Sequence, residues 1–326
     1  MRRAFPVLAA TLFVVLVASV LLGRYPGPGL SSPSTILHDK LALDLVTSLR
    51  LPRIVAAVLL GMVLSAAGLV FQMVFRNPLV DSGFLGVSQG AAFGASAAIV
   101  FAAGSAAFVQ AGAAVFAFLG LAMSYALSRR IRFGGGILRL VLAGIAVGSL
   151  FSAGIGILKY LADPHKQLPD ITFWMMGGLW NITWPDVLEI LPVTLVALTL
   201  IFLMRWRLNL LALREETAFS LGAAPRRERI ILLIAAVAAT AAVVAKAGQI
   251  TWVGLVIPHI ARRLAGSDAQ RAFPVSLLLG GAFVLICDDL SRTLLSGEIP
   301  LGILTSLFGT LAFLALLIKH RPGVRT

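Results

Sequence analysis

Apolar residues in this chain fall in long, nearly unbroken runs rather than in the alternation of a water-facing strand or helix. The runs cover residues 4–23, 54–75, 88–109, 111–128, 137–158, 187–204, 230–247, 272–289 and 299–318. Hydrocarbon about 30 Å thick is crossed by about 20 apolar residues of helix, so each run predicts a membrane span. A tenth candidate, 250–265, is shorter: Gly254 and Pro258 interrupt it, and Arg262 and Arg263 close it. Such a segment predicts a short or broken helix. Small residues recur at four-residue spacing within the runs, at Gly61 and Ser65, at Gly90 and Gly94, and at Gly144, Gly148, Ser152 and Gly156. On one helix face, small side chains let backbones approach closely in lipid, so these rows predict helix packing.

Loop charge orients the spans, because cytoplasmic loops collect Lys and Arg. With the N-terminus inside and 250–265 crossing, most of the 27 Lys and Arg lie at cytoplasmic ends, among them Arg2, Arg3, Arg76, Arg129, Arg130, Arg205, Arg207, Arg226, Arg227, Arg262, Arg263, Lys319 and Arg321. Arg24, Lys40, Arg50, Arg53, Lys159, Lys166, Lys246 and Arg292 remain outside. If 250–265 did not cross, the basic residues near the C-terminus would move outside, so the charge pattern predicts ten spans with both termini cytoplasmic. Arg2 and Arg3 before an apolar core also resemble a signal peptide, but no A-x-A cleavage pattern follows, and the run is read as an uncleaved anchor. No linker divides the chain, so residues 1–326 are expected to form one all-α transmembrane domain.

Composition excludes a soluble enzyme. Of the 326 residues 59% are hydrophobic and 13% charged, against about 45–50% and 25% in soluble domains. The net charge of +13 would suggest nucleic acid on a soluble protein; here it follows from topology, and no nucleic-acid partner is expected. The single cysteine, Cys287, forms no internal disulfide. No G-x-x-x-x-G-K-[ST] loop occurs, so any ATP is handled by a partner. His38, His165, His259 and His320 are scattered, which leaves no readable metal site. Gly86–Gly90 reads G-x-S-x-G, but a nucleophile elbow needs a preceding strand, whereas this stretch opens a membrane helix. Ion-coupled carriers place ionisable groups within the bilayer; here Arg139, Lys159, Lys246, Asp288 and Asp289 sit near span ends. A wide, weakly adhesive pathway for a bulky cargo suits this interior better than an ion filter.

The most informative polar segment runs from Arg205 to Arg229. Leu210, Leu213 and Leu221 alternate with Arg214, Glu215 and Glu216, predicting a short amphipathic helix ended by Gly222 and Pro225. Its E-E-T-A-F-S-L-G stretch, ending at Gly222, resembles the coupling helix of ABC importer membrane subunits. Further motifs narrow the resemblance to the iron-chelate and vitamin B12 uptake permease family: Leu49–Arg53, Gln72–Gly90, Leu142–Gly144, Phe173–Gly178, Trp252–Arg262 and Leu301–Thr305.

The resemblance covers almost the whole chain and carries several expectations. It implies the homodimeric membrane subunit of a type II importer in a bacterial inner or archaeal cell membrane. Two cytoplasmic ATP-binding subunits and an extracytoplasmic substrate-binding protein are its expected partners, besides membrane lipid. The chain is expected to be no enzyme and to bind no cofactor, with ATP and Mg²⁺ on the ATPase subunit. Arg50, Arg53 and Arg292 match arginines that dock the binding protein. Asn77 and Leu79 match the cytoplasmic gate, where Ile137 and Leu138 replace small hydroxyl residues of the B12 relative and make the constriction more apolar. Leu213, Glu215, Glu216, Ala218, Leu221 and Gly222 match the ATPase-coupling surface. The expected cargo is a bulky metal chelate, ferric siderophore first, with cobalamin and haem behind it. A stand-alone carrier or channel is the alternative of another class.

Overall fold

The computed structural model describes residues 4–318, apart from 26, 28 and 103. Arg2, Arg3, Lys319 and Arg321, which contribute to the orientation argument, lie outside the described residues. The described chain is almost entirely helical, in the order α1 (Ala4–Leu21), α2 (Pro33–His38), α3 (Lys40–Leu45), α4 (Leu51–Val74), α5 (Val87–Phe101), α6 (Ala106–Ser128), α7 (Gly136–Leu161), α8 (Gln167–Met176), α9 (Trp184–Leu211), α10 (Glu215–Ser220), α11 (Pro225–Ala247), α12 (Val253–Ala265), α13 (Ala269–Thr293) and α14 (Leu301–Ile318). A π-helical turn, Val46–Arg50, joins α3 to α4. Its only sheet among the described residues is a two-residue antiparallel pair, β1 (Leu22–Gly23) with β2 (Gly29–Leu30).

Among the described residues seven helices are long and apolar enough to cross a membrane: the continuous Lys40–Val74, α6, α7, α9, α11, α13 and α14. The apolar helices α1 and α5 are shorter, and α12 has 13 residues, the short element its Gly and Pro foretell. Every predicted run thus carries a helix, with one boundary corrected. The run 88–109 is not one span: α5 stops at Phe101, Gly104 turns the chain with φ +68°, and α6 begins at Ala106. Hydropathy misses the turn because Gly and Ala are apolar enough to extend a run through it.

The core is built around α4, which is apolar all round and therefore buried; α13, α11, α12 and α9 pack on it. The α4–α13 crossing is made by the predicted small residues. A Cβ on Gly61 would lie 2.0 Å from the carbonyl oxygen of Gly280. One turn on, Ser65 Oγ donates to the Ser276 carbonyl at 2.9 Å and Ser276 Oγ to that of Ser65 at 3.4 Å. Hydroxyls that bond across the interface satisfy polar groups that lipid would leave unpaired. A second layer joins α5, α6 and α7, and α1 covers α13.

Local signals set the helix ends that matter for function. Thr183 and Asp186 form a capping box at the start of α9. Asp268 caps α13, accepting from the Gln270 N–H at 2.9 Å. Trp252, at φ +72°, precedes α12 in the left-handed region. That conformation costs about 1–2 kcal/mol for a residue with a side chain; packing of the indole against Gly309 and the Phe313 ring holds it there.

Candidate functional site

Two ends of the bundle carry polar side chains, and each is tied together by long-range contacts. At one end the predicted docking arginines lie where the π-turn meets α4, at Arg50 and Arg53, and on the last turn of α13, at Arg292. Arg53 Nε donates to both oxygens of Asp288, at 2.9 and 3.1 Å, and Nη1 to Glu298 at 2.8 Å. Arg292 also meets Asp288, at 3.4 Å, and pairs with Asp289, whose carboxylate accepts from Ser19 Oγ at 2.6 Å. The side chains of Arg53 and Arg292 are only 9% and 11% exposed, so two of the three arginines are held by the chain's own acids. Arg50 differs: its guanidinium donates to the carbonyls of Val20 at 3.2 Å and Tyr25 at 3.3 Å. The three line one shallow cavity of about 280 Å³ with Tyr25, Leu179, Trp180 and Glu298.

Sequence reasoning named Asp288 and Asp289 but not these pairings, and it missed Glu298. Spacings of three and four residues between Asp289, Asp288 and Arg292 place them together on a helix. The union with Arg53 required the fold, because 235 residues separate it from Asp288. Arg24 adds a further tie, its guanidinium donating to the carbonyls of Arg292, Leu295 and Ser296. Close by, the phenol of Tyr25 donates to Asp39 at 2.8 Å and holds that carboxyl below the usual carboxylate range.

Lys246 near the end of α11 is buried between two acids of α9, Asp186 at 2.7 Å and Glu189 at 2.5 Å. It also borders a cavity of about 470 Å³ with Gln110, Asp170, Trp180 and Asn181.

The opposite end carries the predicted gate and coupling residues. Asn77 and Leu79 lie in the exposed turn after α4, where Asn77 Oδ1 accepts from the Leu79 N–H at 2.9 Å. Asp81 Oδ1 accepts from the Gly83 N–H at 2.9 Å, and Gly86, at φ +71°, opens α5. Ser88 therefore follows a 3₁₀ turn, Ser82–Leu85, and not a strand, so the nucleophile elbow lacks its frame. Ile137 and Leu138 occupy the first turn of α7, Leu138 being 49% exposed.

The predicted coupling segment is a separate six-residue helix, α10, between the long α9 and α11. Leu210 is not part of it, contrary to the sequence pattern, because α9 continues through Leu211. Ala218 is buried and anchors α10, while Leu213, Leu221 and Phe219 face outward, Phe219 with 73% of its surface exposed. Gly222, at φ +79°, ends the turn, and Arg207 Nη1 holds it by donating to its carbonyl at 3.1 Å. Glu215 and Glu216 occupy the first turn, where acidic side chains complement the helix dipole. Together with Phe219, Pro225, Arg226 and Ile230 they line a groove of about 900 Å³. The sequence reading did not single out Phe219, the exposed aromatic of this helix; an aromatic in a short, charged loop helix was the available signal.

Comparison with known proteins agrees with this architecture. The profile of the FecCD transport family matches residues 11–319. The chain is 35% identical to the molybdate import system permease protein MolB of Haemophilus influenzae, over 97% of this chain and 95% of that protein. It is 36% identical to the Fe(3+)-citrate import system permease protein YfmE of Bacillus subtilis, over 96% and 94% of the two chains. The hemin transport system permease protein HmuU of Yersinia pestis is also 36% identical, over 84% and 83%. Among solved structures, an inward-facing conformation of a proposed metal-chelate type ABC transporter superposes with a TM-score of 0.91 at 34% identity, covering 98% of this chain and all of that one. With its apolar spanning helices and its protruding α10, the chain belongs to the FecCD transport family and is a multi-pass membrane permease subunit of an ABC importer whose ATPase is a separate subunit.

Proposed function

We propose that the chain imports a ferric siderophore into the cytoplasm as one ten-span permease domain, working as a homodimer with both termini cytoplasmic. The observation that carries the coupling role is α10, a short helix held at its ends and presenting Glu215, Glu216, Phe219 and Leu221 away from the bundle. An apolar knob with an acidic rim fits a groove on a soluble subunit. ATP and Mg²⁺ sit on that subunit, and their binding supplies the differential affinity that moves the permease between states. Asn77, Leu79, Ile137 and Leu138 form the cytoplasmic gate, and Arg50, Arg53 and Arg292 receive the loaded binding protein. An iron chelate is supported by the relatives named for iron chelatin, Fe(3+)-citrate, hemin and iron(3+)-hydroxamate transport. Molybdate is the second reading, favoured by the near full-length match to a molybdate permease.

The test is uptake into liposomes holding the permease with its ATPase and binding protein, scanning ferric siderophores, haem, cobalamin and molybdate. Uptake of a ferric siderophore that needs ATP and is lost in Glu215→Lys is the expected result. Uptake without ATP, indifferent to Glu215→Lys, would establish a stand-alone carrier instead. Arg50→Glu is the suitable docking variant, because Arg50 donates to the carbonyls of Val20 and Tyr25 and its reversal breaks no ion pair among the described residues.

A further inference from the structure

The row Gly144, Gly148, Ser152 and Gly156 does not serve helix packing along its whole length. Gly148 lies against Gly86, but a Cβ added at Gly156 would meet nothing within 4 Å, and Ser152 is exposed. Here the small residues leave space. Ser152, Gly156 and Lys159 recur at four and three residues, one face of α7, and that face lines a cavity of about 260 Å³ with Gln89, Met175 and Gln249. Met175 and Gln249 also line a neighbouring cavity of about 350 Å³, which Thr251 and Ser306 border.

The polar groups of this double cavity share one character. Lys159 brings a positive charge and makes no ion pair among the described residues, unlike Lys246, which two acids neutralise. Among the described residues no acidic side chain lines either cavity. Gln89 borders the first cavity, and what it can offer an anion is its side-chain amide, which carries two N–H donors. Gln249 supplies a second amide. Its backbone is fixed, its N–H donating to the Trp174 carbonyl at 3.4 Å and its carbonyl packing against Gly177 and Gly302. Thr251 and Ser306 add hydroxyls that lie 2.9 Å from each other. A lysine at the end of a membrane helix ordinarily snorkels toward the interface and complements the helix dipole; lining a cavity with two glutamines and a serine, without an ion-pair partner among the described residues, goes beyond that task.

Resting on the importer reading, we infer that this double cavity is a cargo-contacting site for an anion, a negatively charged metal chelate or oxyanion, with Lys159 as its counter-charge and Gln89, Gln249, Thr251 and Ser306 as hydrogen-bonding groups. Cargo charge is thereby selected within the membrane subunit as well as by the binding protein.

Liposomes holding the permease with its ATPase and binding protein test this with four radiolabelled cargoes: ferric citrate and molybdate as anions, a neutral ferric trihydroxamate and cobalamin as uncharged probes. Wild-type protein is expected to import an anion in an ATP-dependent manner. Lys159→Gln should lower that uptake about tenfold and Lys159→Glu abolish it, because a like charge opposes the cargo. Lys159→Arg should restore it, and Lys166→Gln, at an exposed lysine outside the cavity, should leave it unchanged. Import of an uncharged probe in preference to both anions, or anion uptake that survives Lys159→Glu, overturns the inference while the importer stands. Failure of all four cargoes overturns the inference, whereas the importer reading falls only if haem and the other ferric siderophores also show no ATP-dependent uptake.

Discussion

Asp288→Asn removes the carboxylate that both Arg53 and Arg292 reach, at 2.9 and 3.4 Å, from a position with no solvent exposure. Glu298 and Asp289 remain, but Glu298 is 36% exposed and Asp289 already accepts from Ser19 and Arg292. Two guanidinium groups are then left around a neutral amide. Taking one partner from a buried ion pair costs about 3–5 kcal/mol, because the stranded charge keeps its desolvation penalty. At roughly 2–3 °C per kcal/mol for a chain of this size, the melting midpoint should fall by about 6–15 °C. The chain carries its own reporter: Cys287, its single cysteine, is buried beside Asp288 on α13. A dye that fluoresces on reacting with a thiol, added to the detergent-solubilised complex during heating, reads the opening of α13 directly. Arg53→Met should be comparably destabilising, and Asp288→Leu combined with Arg53→Met should cost less than the two single losses together, because the stranded charges go as a pair. A midpoint for Asp288→Asn within about 2 °C of wild type, the range of an unimportant surface change, would refute the reasoning.

Two further outcomes follow from the same packing. A Cβ on Gly68 would stand 1.9 Å from the Gly254 carbonyl oxygen, a backbone atom that cannot swing aside, so Gly68→Val should lower the midpoint by about 2–9 °C through overpacking; Gly136→Ala, with nothing within 4 Å, should leave it unchanged or slightly raised. Asp268 is held below the usual carboxylate range chiefly by the Asn209 side-chain amide, then by the Gln270 N–H. Its folded value therefore lies under the unfolded one, so the stabilisation is present above the unfolded value and is lost as pH falls through the folded value. The midpoint difference between wild type and Asp268→Asn should shrink on acidification below about pH 4; a difference constant from neutral to acid pH would exclude the carboxylate as its source.

Much of the molecule is readable one segment at a time. A helix in lipid must satisfy its backbone internally and cover its flanks with apolar side chains, so hydropathy runs locate the helices, Pro258 and Gly254 mark the short α12, and Gly61 with Ser65 marks the face that meets α13. The short helix α10 was equally local, its acidic first turn and Gly222 stop both lying within eight residues. These features depend on near neighbours, so chain order determines them. The break at Gly104 escaped because a turn made of Gly, Ala and Ser has no hydropathic signature. The partners of Arg53 and the double cavity beside Lys159 were decided by tertiary structure alone, whereas the acids of Arg292 lie three and four residues away on its own helix. Arg53 meets Asp288 across 235 positions of sequence, and the cavity gathers α5, α7, α8, α14 and residue 249. Charge pairing and empty space are properties of where helices cross. A helix specifies which face it offers; what stands opposite that face is settled only when the bundle packs.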